Sequence, residues 1–180
     1  MPFAPVIFPR ITSRHKFISA DELSRPPDSP PIVDIFGITQ ALIFTVDTDK
    51  AFYKLYIPDD WYPETDIRLS VLWTRSSSGT DDSGKTVRWQ IKYHVFNLGD
   101  NVVSSGKTLY LDDVYESSST TDQIVYITPE GTIPSTEINR PGILSFELMA
   151  VTPPMGLALS KPACLGLRID YTSYQVPPIG

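Results

Sequence analysis

The groups in this 180-residue chain that could do chemistry are one cysteine, two histidines and several paired carboxylates. A thiol nucleophile needs a base to hold it as thiolate. Cys164 opens the apolar run Cys164-Leu165-Gly166-Leu167, and His15 and His94 stand in no recognisable thiol-protease context. With no second cysteine an internal disulfide is impossible, so Cys164 reads as a small buried hydrophobe. Asp47 with Asp49, and Asp59 with Asp60, offer hard oxygen ligands for calcium. Their spacing lacks the following glycine turn and terminal glutamate of a calcium loop, so they read as solvated turn carboxylates, as do Asp81-Asp82 and Asp112-Asp113. The chain contains no G-x-S-x-G, P-loop, G-x-G-x-x-G or H-E-x-x-H pattern. No catalytic residue, metal ligand or cofactor is assigned, and a non-enzymatic role is expected. A small hydrolase remains a reading of its own, because a glycosidase can draw two carboxylates from distant strands into one deep cleft.

Aromatic residues are the other candidates. Trp61-Tyr62 follows Pro58-Asp59-Asp60 and precedes Pro63, so the pair sits in a connection. There it can plug one end of a domain, anchor a subunit interface, or form a sugar-stacking platform. Trp73 and Trp89 lie in phase with aliphatic neighbours and read as core.

The elements that must position these groups are strands. Ile67, Leu69, Val71 and Trp73 share one parity, and so do Val87, Trp89, Ile91, Tyr93 and Val95. Arg68, Ser70, Arg88, Gln90, Lys92 and His94 take the other. Successive strand side chains point to opposite faces, so these runs are packed on one side and wet on the other. Further strands are expected at Val33–Phe36, Ala41–Val46, Phe52–Ile57, Ile67–Arg75, Thr86–Phe96, Thr108–Leu111, Ile124–Thr128, Ile143–Val151 and Leu165–Tyr174. Turn signals separate them, among them Asp47-Thr48-Asp49, Pro129-Glu130-Gly131 and Pro153-Pro154-Met155-Gly156. No amphipathic helix intervenes, which disfavours βαβ units. The expected class is all-β, an antiparallel sandwich with long jelly-roll-like connections.

Seven prolines fall within the first 31 residues, so that segment is neither a central strand nor a long helix. Ser19-Ala20-Asp21-Glu22-Leu23 has room for one helical turn before Pro26. Yet Val6, Ile7, Phe8, Ile11, Phe17 and Ile18 are too apolar for a solvated linker. Residues 1–31 are therefore read as an extended arm, lying on a neighbouring subunit or strapped across its own domain, and 32–180 as the sandwich. Removing the arm is expected to leave the body folded. A net charge of −6 argues against nucleic acid as partner, despite the small basic group Arg10, Arg14, His15 and Lys16. No apolar stretch is long enough for a membrane span, and Met1-Pro2-Phe3-Ala4-Pro5 is not a signal peptide. The chain is expected to be made in a cytoplasm and to stay soluble.

The stretches Ala41-Leu42-Ile43-Phe44, Tyr53-Lys54-Leu55-Tyr56-Ile57-Pro58-Asp59-Asp60-Trp61, Leu69-Ser70-Val71-Leu72-Trp73, Val87-Arg88-Trp89-Gln90-Ile91-Lys92-Tyr93 and Leu165-Gly166-Leu167-Arg168-Ile169-Asp170-Tyr171 carry a resemblance over roughly 41–174. In texture rather than by a sharp motif, the chain resembles the single jelly-roll structural proteins of tailed-bacteriophage virions. That resemblance implies a virion protein with no catalytic residues, a capsid decoration or cement protein clipped to the major capsid protein or other virion proteins. It also implies a homo-oligomer, with a trimer favoured. Phe3, Phe8 and Phe17 in the arm, with Phe52, Tyr56, Trp61 and Tyr62, are the expected interface residues; Phe96 and Tyr110 share the outward parity. The alternative is a receptor- or glycan-binding module of a tail fibre, marked by an exposed aromatic platform around Tyr53, Tyr56, Trp61 and Tyr62.

The parity argument also places Leu144, Phe146 and Leu148 inward. Replacing Trp89 by alanine is expected to cost about 3–5 kcal/mol, as for a deleted buried aromatic, while Lys92→Ala costs little. Urea midpoints measure both; equal shifts would mean that the two faces are exchanged.

Overall fold

The computed structural model describes residues 10–76, 81–97, 99–100, 106–119, 123–138 and 141–175. Among these described residues eleven strands make two antiparallel sheets: β1 (Arg10–Ser19), β2 (Ile32–Phe36), β3 (Thr39–Ile43), β4 (Lys50–Tyr56), β5 (Ile67–Arg75), β6 (Thr86–Asn97), β7 (Lys107–Val114), β8 (Tyr126–Ile127), β9 (Gly131–Ile133), β10 (Gly142–Val151) and β11 (Pro162–Gln175). The first sheet runs β2-β3-β11-β5-β8, with β1 on β11 and β9 on β5; the second runs β4-β10-β6-β7. Strands far apart in sequence pair as in a long hairpin rolled on itself: β3 with β11, β4 with β10, β5 with β8 and β9, β6 with β7. Rolling then joins β11 to β5 and β10 to β6. This order is the jelly roll, an antiparallel sandwich in which both sheets recruit strands from both ends of the chain.

The core follows from the alternation. The residues placed inward by parity are buried at Ile67, Leu69, Val71 and Trp73 on β5, Val87, Trp89, Ile91 and Tyr93 on β6, and Leu144, Phe146 and Leu148 on β10, while Val95, toward the end of β6, is only partly buried against the core. Trp89 meets Phe44 edge to face, with ring centroids 5.3 Å apart. Trp73 stacks on Tyr126 at 5.2 Å, and its Nε1 donates to Asp113 at 2.9 Å. The indole N–H thus keeps a polar partner while the ring is dry. Tyr115 completes this corner against Tyr126.

The division into an arm and a body at residue 32 does not match the hydrogen bonding. β1 is a ten-residue strand paired in register with β11, from Arg10 opposite Gln175 to Ser19 opposite Gly166. Ile18, Ala20 and Leu23 belong to the central core. Between them the expected helical turn forms as a short 3-10 turn, Ala20–Glu22; the Ser19 hydroxyl bonds the Asp21 carboxylate rather than a backbone N–H. The chain then crosses to the second sheet, where Ser24 exchanges two backbone bonds with Phe52 and the Lys50 N–H reaches Ser29. The proline-rich segment is thus a strap that covers the open edge of β4, and it is the strap reading, on its own domain, that applies to residues 10–31. β1 escapes the alternation test because Arg14, His15 and Lys16 are polar on both faces. Its stability comes from backbone pairing and from Ile18. Phe3 and Phe8 lie outside the described residues.

Gly166 makes this docking possible. A Cβ there would sit 2.5 Å from the Ile18 carbonyl oxygen and 2.6 Å from the Phe17 ring. The register of β11 on β5 shifts at this point, between Cys164 and Gly166, as expected of a bulge at close backbone approach. β9 also differs from the sequence reading, which took Pro129-Glu130-Gly131 as a turn alone. It adds three residues beside Ile67–Leu69.

Loss of the strap should therefore unfold the body. Ile18→Ala is expected to cost about 2–5 kcal/mol of unfolding free energy, read from the urea midpoint. An Ile18→Ala midpoint equal to the parent would show that β1 is not part of the cooperative unit.

Candidate functional site

The chemically capable groups are engaged in structure. Cys164 is fully buried on the inward face of β11, and burial pushes its thiol up to about 12. Its Sγ lies 3.7 Å from the Gly166 carbonyl. Asp47, in the left-handed region at φ 62°, accepts from the Thr152 N–H and hydroxyl, and these bonds hold its carboxyl below the usual value. Asp49 accepts from the Thr45 N–H at 2.6 Å. Asp82 corrects the expectation of a solvated turn carboxylate. It is buried, 3.5 Å from the Arg75 guanidinium and 2.6 Å from Lys85 Nζ. Arg75 itself is buried over the Tyr115 ring and donates to the Ser119 carbonyl. A charge this dry requires partners, and Asp82 is one of them. The group ties the loop after β5 to the loop after β7. Among the described residues, no three His, Cys, Asp or Glu side chains converge to hold a metal ion.

The two outer faces of the sandwich differ in character. On the first sheet, the residues of outward parity include Ile32 and Phe36 on β2, Ala41 and Ile43 on β3, Ala163 and Leu165 on β11, Leu72 on β5 and Ile127 on β8. Phe17 joins them, its ring laid across Gly166 and half exposed. Ile32 and Ile127 are exposed, and Phe36, Ile43 and Leu72 are partly so. At the edge, the β2–β3 hairpin turns on Gly37, at φ 66°, and Ile38. Ile38 is fully exposed and Ile35 is 67% exposed. The opposite end of the same face is polar, with a cleft of about 420 Å³ lined by Ser13, Glu64, Asp66, Arg68, Asp170 and Thr172.

The second sheet carries aromatic and charged rows outward. Tyr56, Ile143 and Phe96 form one transverse row, Lys54, Ser145 and His94 the next, and Phe52, Glu147 and Lys92 the third. Tyr110 lies under Arg88, 5.0 Å from ring centroid to guanidinium, and Arg88 grips Asp112 with two bonds.

The candidate residues thus fall in three places. Phe52 and Tyr56 stand on the outer face of the second sheet with Phe96 and Tyr110, as their parity implied. Phe17 lies on the opposite side of the molecule. Trp61 is only 3% exposed and bridges to Ser173 at the end of β11, with its Nε1 donating to the Thr65 carbonyl at 3.1 Å. It plugs the sandwich and presents no ring for contact or stacking. Tyr62 stays partly exposed against Tyr174, centroids 6.1 Å apart. The apolar outer face of the first sheet was not singled out in the sequence, although a signal existed. Ile32-Val33, Ile35-Phe36, Val71-Leu72-Trp73 and Ala163-Cys164-Leu165 are apolar on both parities, which marks strands covered on both faces.

No family model and no curated protein sequence matches the chain. Solved structures with some likeness include a xylan-binding module, CBM15, at 10% identity and TM-score 0.38, with 89% of this chain and 97% of that chain covered. A mutant VP2 protein of infectious bursal disease virus, in T=1 particles, aligns at 16% identity and TM-score 0.37; 92% of this chain covers 33% of it. An unassembled polyomavirus VP1 pentamer mutant aligns at 9% identity and TM-score 0.24, with 97% of each chain covered. The chain spans about a third of the length of the bursal-virus protein. Likeness this distant carries no functional argument; the jelly roll rests on the strand order above.

The burial of Cys164 has a direct test. Its thiol should resist alkylation by iodoacetamide in the native protein at pH 8 and react at the rate of a free thiol once unfolded in urea. Rapid native alkylation would place Cys164 at an accessible surface instead.

Proposed function

We propose that this chain is a non-enzymatic structural subunit of a virion, a decoration or cement protein of a phage capsid. In this reading it associates with copies of itself and with the shell through the outer face of its first sheet. The observation that carries the reading is the apolar surface formed by Ile32, Phe36, Ile43, Leu72 and Ile127, interrupted on β2 by Asp34, together with Ile38 at the hairpin tip and the exposed Ile35 at the β2 edge. A contiguous apolar patch on a folded domain marks an interaction surface. The β2 edge beside it is open: among the described residues its outer backbone groups have no backbone partner, and only the Ile35 N–H is taken, by the Asp34 carboxylate at 2.8 Å. An open edge next to an apolar face offers main-chain pairing and side-chain burial together. The jelly roll is a fold of viral capsid and lectin domains, which agrees with the reading. The preference for a trimer rests on the family resemblance of the sequence.

Light scattering of the full chain over a wide concentration range is expected to show a symmetric oligomer, with Ile32→Asp plus Ile38→Asp shifting it to monomer and abolishing recovery with sedimented particles. Both substitutions are at exposed positions, so far-ultraviolet dichroism should not change. A parent chain that stays monomeric and fails to bind particles would overturn the proposal.

A further inference from the structure

The geometry points to a second binding site, on the outer face of the second sheet, for a carboxylate-bearing sugar: a uronic or sialic pyranose held between Phe52 and Phe96 with its carboxylate on Lys54. It is independent of the assembly reading, which uses the opposite side of the molecule.

Three observations lead to it. The first is the alternation of the rows. Strand geometry places successive outward rows roughly 6.6–6.8 Å apart. The ring-bearing rows, Tyr56-Ile143-Phe96 and Phe52-Glu147-Lys92, therefore flank the polar row Lys54-Ser145-His94. Between them lies a shallow groove of about 160 Å³, lined by Phe52, Lys92, His94, Phe96, Ser145 and Glu147. The His94 and Phe96 rings lean on each other with centroids 4.2 Å apart, which fixes one wall. Tyr56, 76% exposed, extends that wall outward.

The second is charge. The four strands of this sheet place four cations outward, Lys50, Lys54, Arg88 and Lys92, against two carboxylates, Asp112 and Glu147. The face is thus positive by two in a chain whose net charge is −6. A local field of opposite sign to the whole selects its ligand by charge.

The third is how those charges are spent. Arg88 is paired with Asp112, and Glu147 is shared by Lys50 at 3.3 Å and Lys92 at 3.7 Å. Lys54 has no ion-pair partner among the described residues; it does not line the groove itself but stands opposite Ser145 in the same transverse row, at the groove's β4 end. A ligand carboxylate there would gain a charge-assisted bond without breaking one.

The same pattern excludes an apolar protein face as the occupant. Such a face would bury Lys54 with no ion-pair partner and would strip water from the Lys50–Glu147–Lys92 cluster, whose one carboxylate serves two ammonium groups. A pyranose meets both needs: its C–H face lies against an aromatic ring, and its hydroxyls keep the lysines, the glutamate and Ser145 hydrogen-bonded.

The test uses the full chain in titration calorimetry at low salt with four probes: trigalacturonate, its methyl ester, 3′-sialyllactose and polyglutamate. Binding of trigalacturonate or of 3′-sialyllactose is expected, and which of them binds separates the two sources of the carboxylate. The neutral ester should bind at least tenfold more weakly. Lys54→Met and Phe96→Ala should each weaken binding roughly tenfold, the scale of one lost charge-assisted or aromatic contact. Tyr110→Ala, on the same face but outside the groove, should leave it unchanged. Lys54 is exposed, so Lys54→Met tests the site without risk to the fold, and its melting curve verifies that. No binding of either acidic sugar at concentrations on the order of 10 mM would overturn the proposal. So would polyglutamate binding as tightly as the sugars, or binding indifferent to Lys54→Met and Phe96→Ala.

Discussion

Strand β11 is the member on which the rest of the first sheet depends. One of its edges serves β5 along most of its length, and the other is divided between β3 at Ala163 and Cys164 and β1 from Gly166 onward. Buried backbone groups must be paired, and this fourteen-residue strand, paired along both edges through much of its length, fixes three other strands in register with it. The division works because the chain bulges between Cys164 and Gly166, where the absent Cβ lets the Ile18 carbonyl come close. The first strand of the chain is therefore positioned by nearly its last. That dependence makes the contacts of this fold overwhelmingly long-range, and its folding is expected to be slow for its size.

How far the sequence reveals this depends on where the stabilising contacts are made. Ile67–Arg75 is read to the residue and Gly142–Val151 to within one, because each strand carries a strict inward parity that local sequence displays. β1 lacks that display. Its polar residues face outward or toward the end of the sandwich, its neighbours are prolines, and its partner lies about 150 residues away. The three-residue β9 is hidden by the turn residues that open it. Asp82 illustrates a third kind of loss: its neighbour Asp81 is exposed, and nothing local announces that Arg75, seven residues earlier, is buried and needs a carboxylate. Trp61 was legible as a plug, an anchor or a platform, and only the bridge to Ser173 selects among them.

The two sheets solve the problem of their outer faces in opposite ways. The second spends charge: Lys50, Glu147 and Lys92 cross three strands, and Arg88 with Asp112 crosses two. Exposed pairs of this kind contribute little stability, but they keep the face wet and make its aromatic rings accessible one at a time. The first sheet does the reverse over half its area. Its outward residues there are mostly isoleucine, leucine, phenylalanine and alanine, with Asp34 the charged exception, and charge gathers at the far end around Arg68, Arg168 and Asp170.

The treatment of the sheet edges follows the same division. β4 would expose an edge of the second sheet, yet the strap from Ser24 to Ser29 occupies it with backbone bonds. β2 ends the first sheet with no such cover, beside the most apolar part of the surface and a hairpin tip carrying Ile38. In a free monomer an open, apolar edge is a template for unwanted pairing, and sequences ordinarily blunt it with lysine, proline or a bulge. Here the chain places two prolines, Pro26 and Pro27, on the strap that protects β4 and two more, Pro30 and Pro31, just after it, but within β2 only Asp34 as a charged residue. The chain thus guards the β4 edge and leaves the β2 edge nearly bare, the edge that the proposed assembly surface uses. The asymmetry between these two edges, more than any single residue, distinguishes the two sides of the molecule.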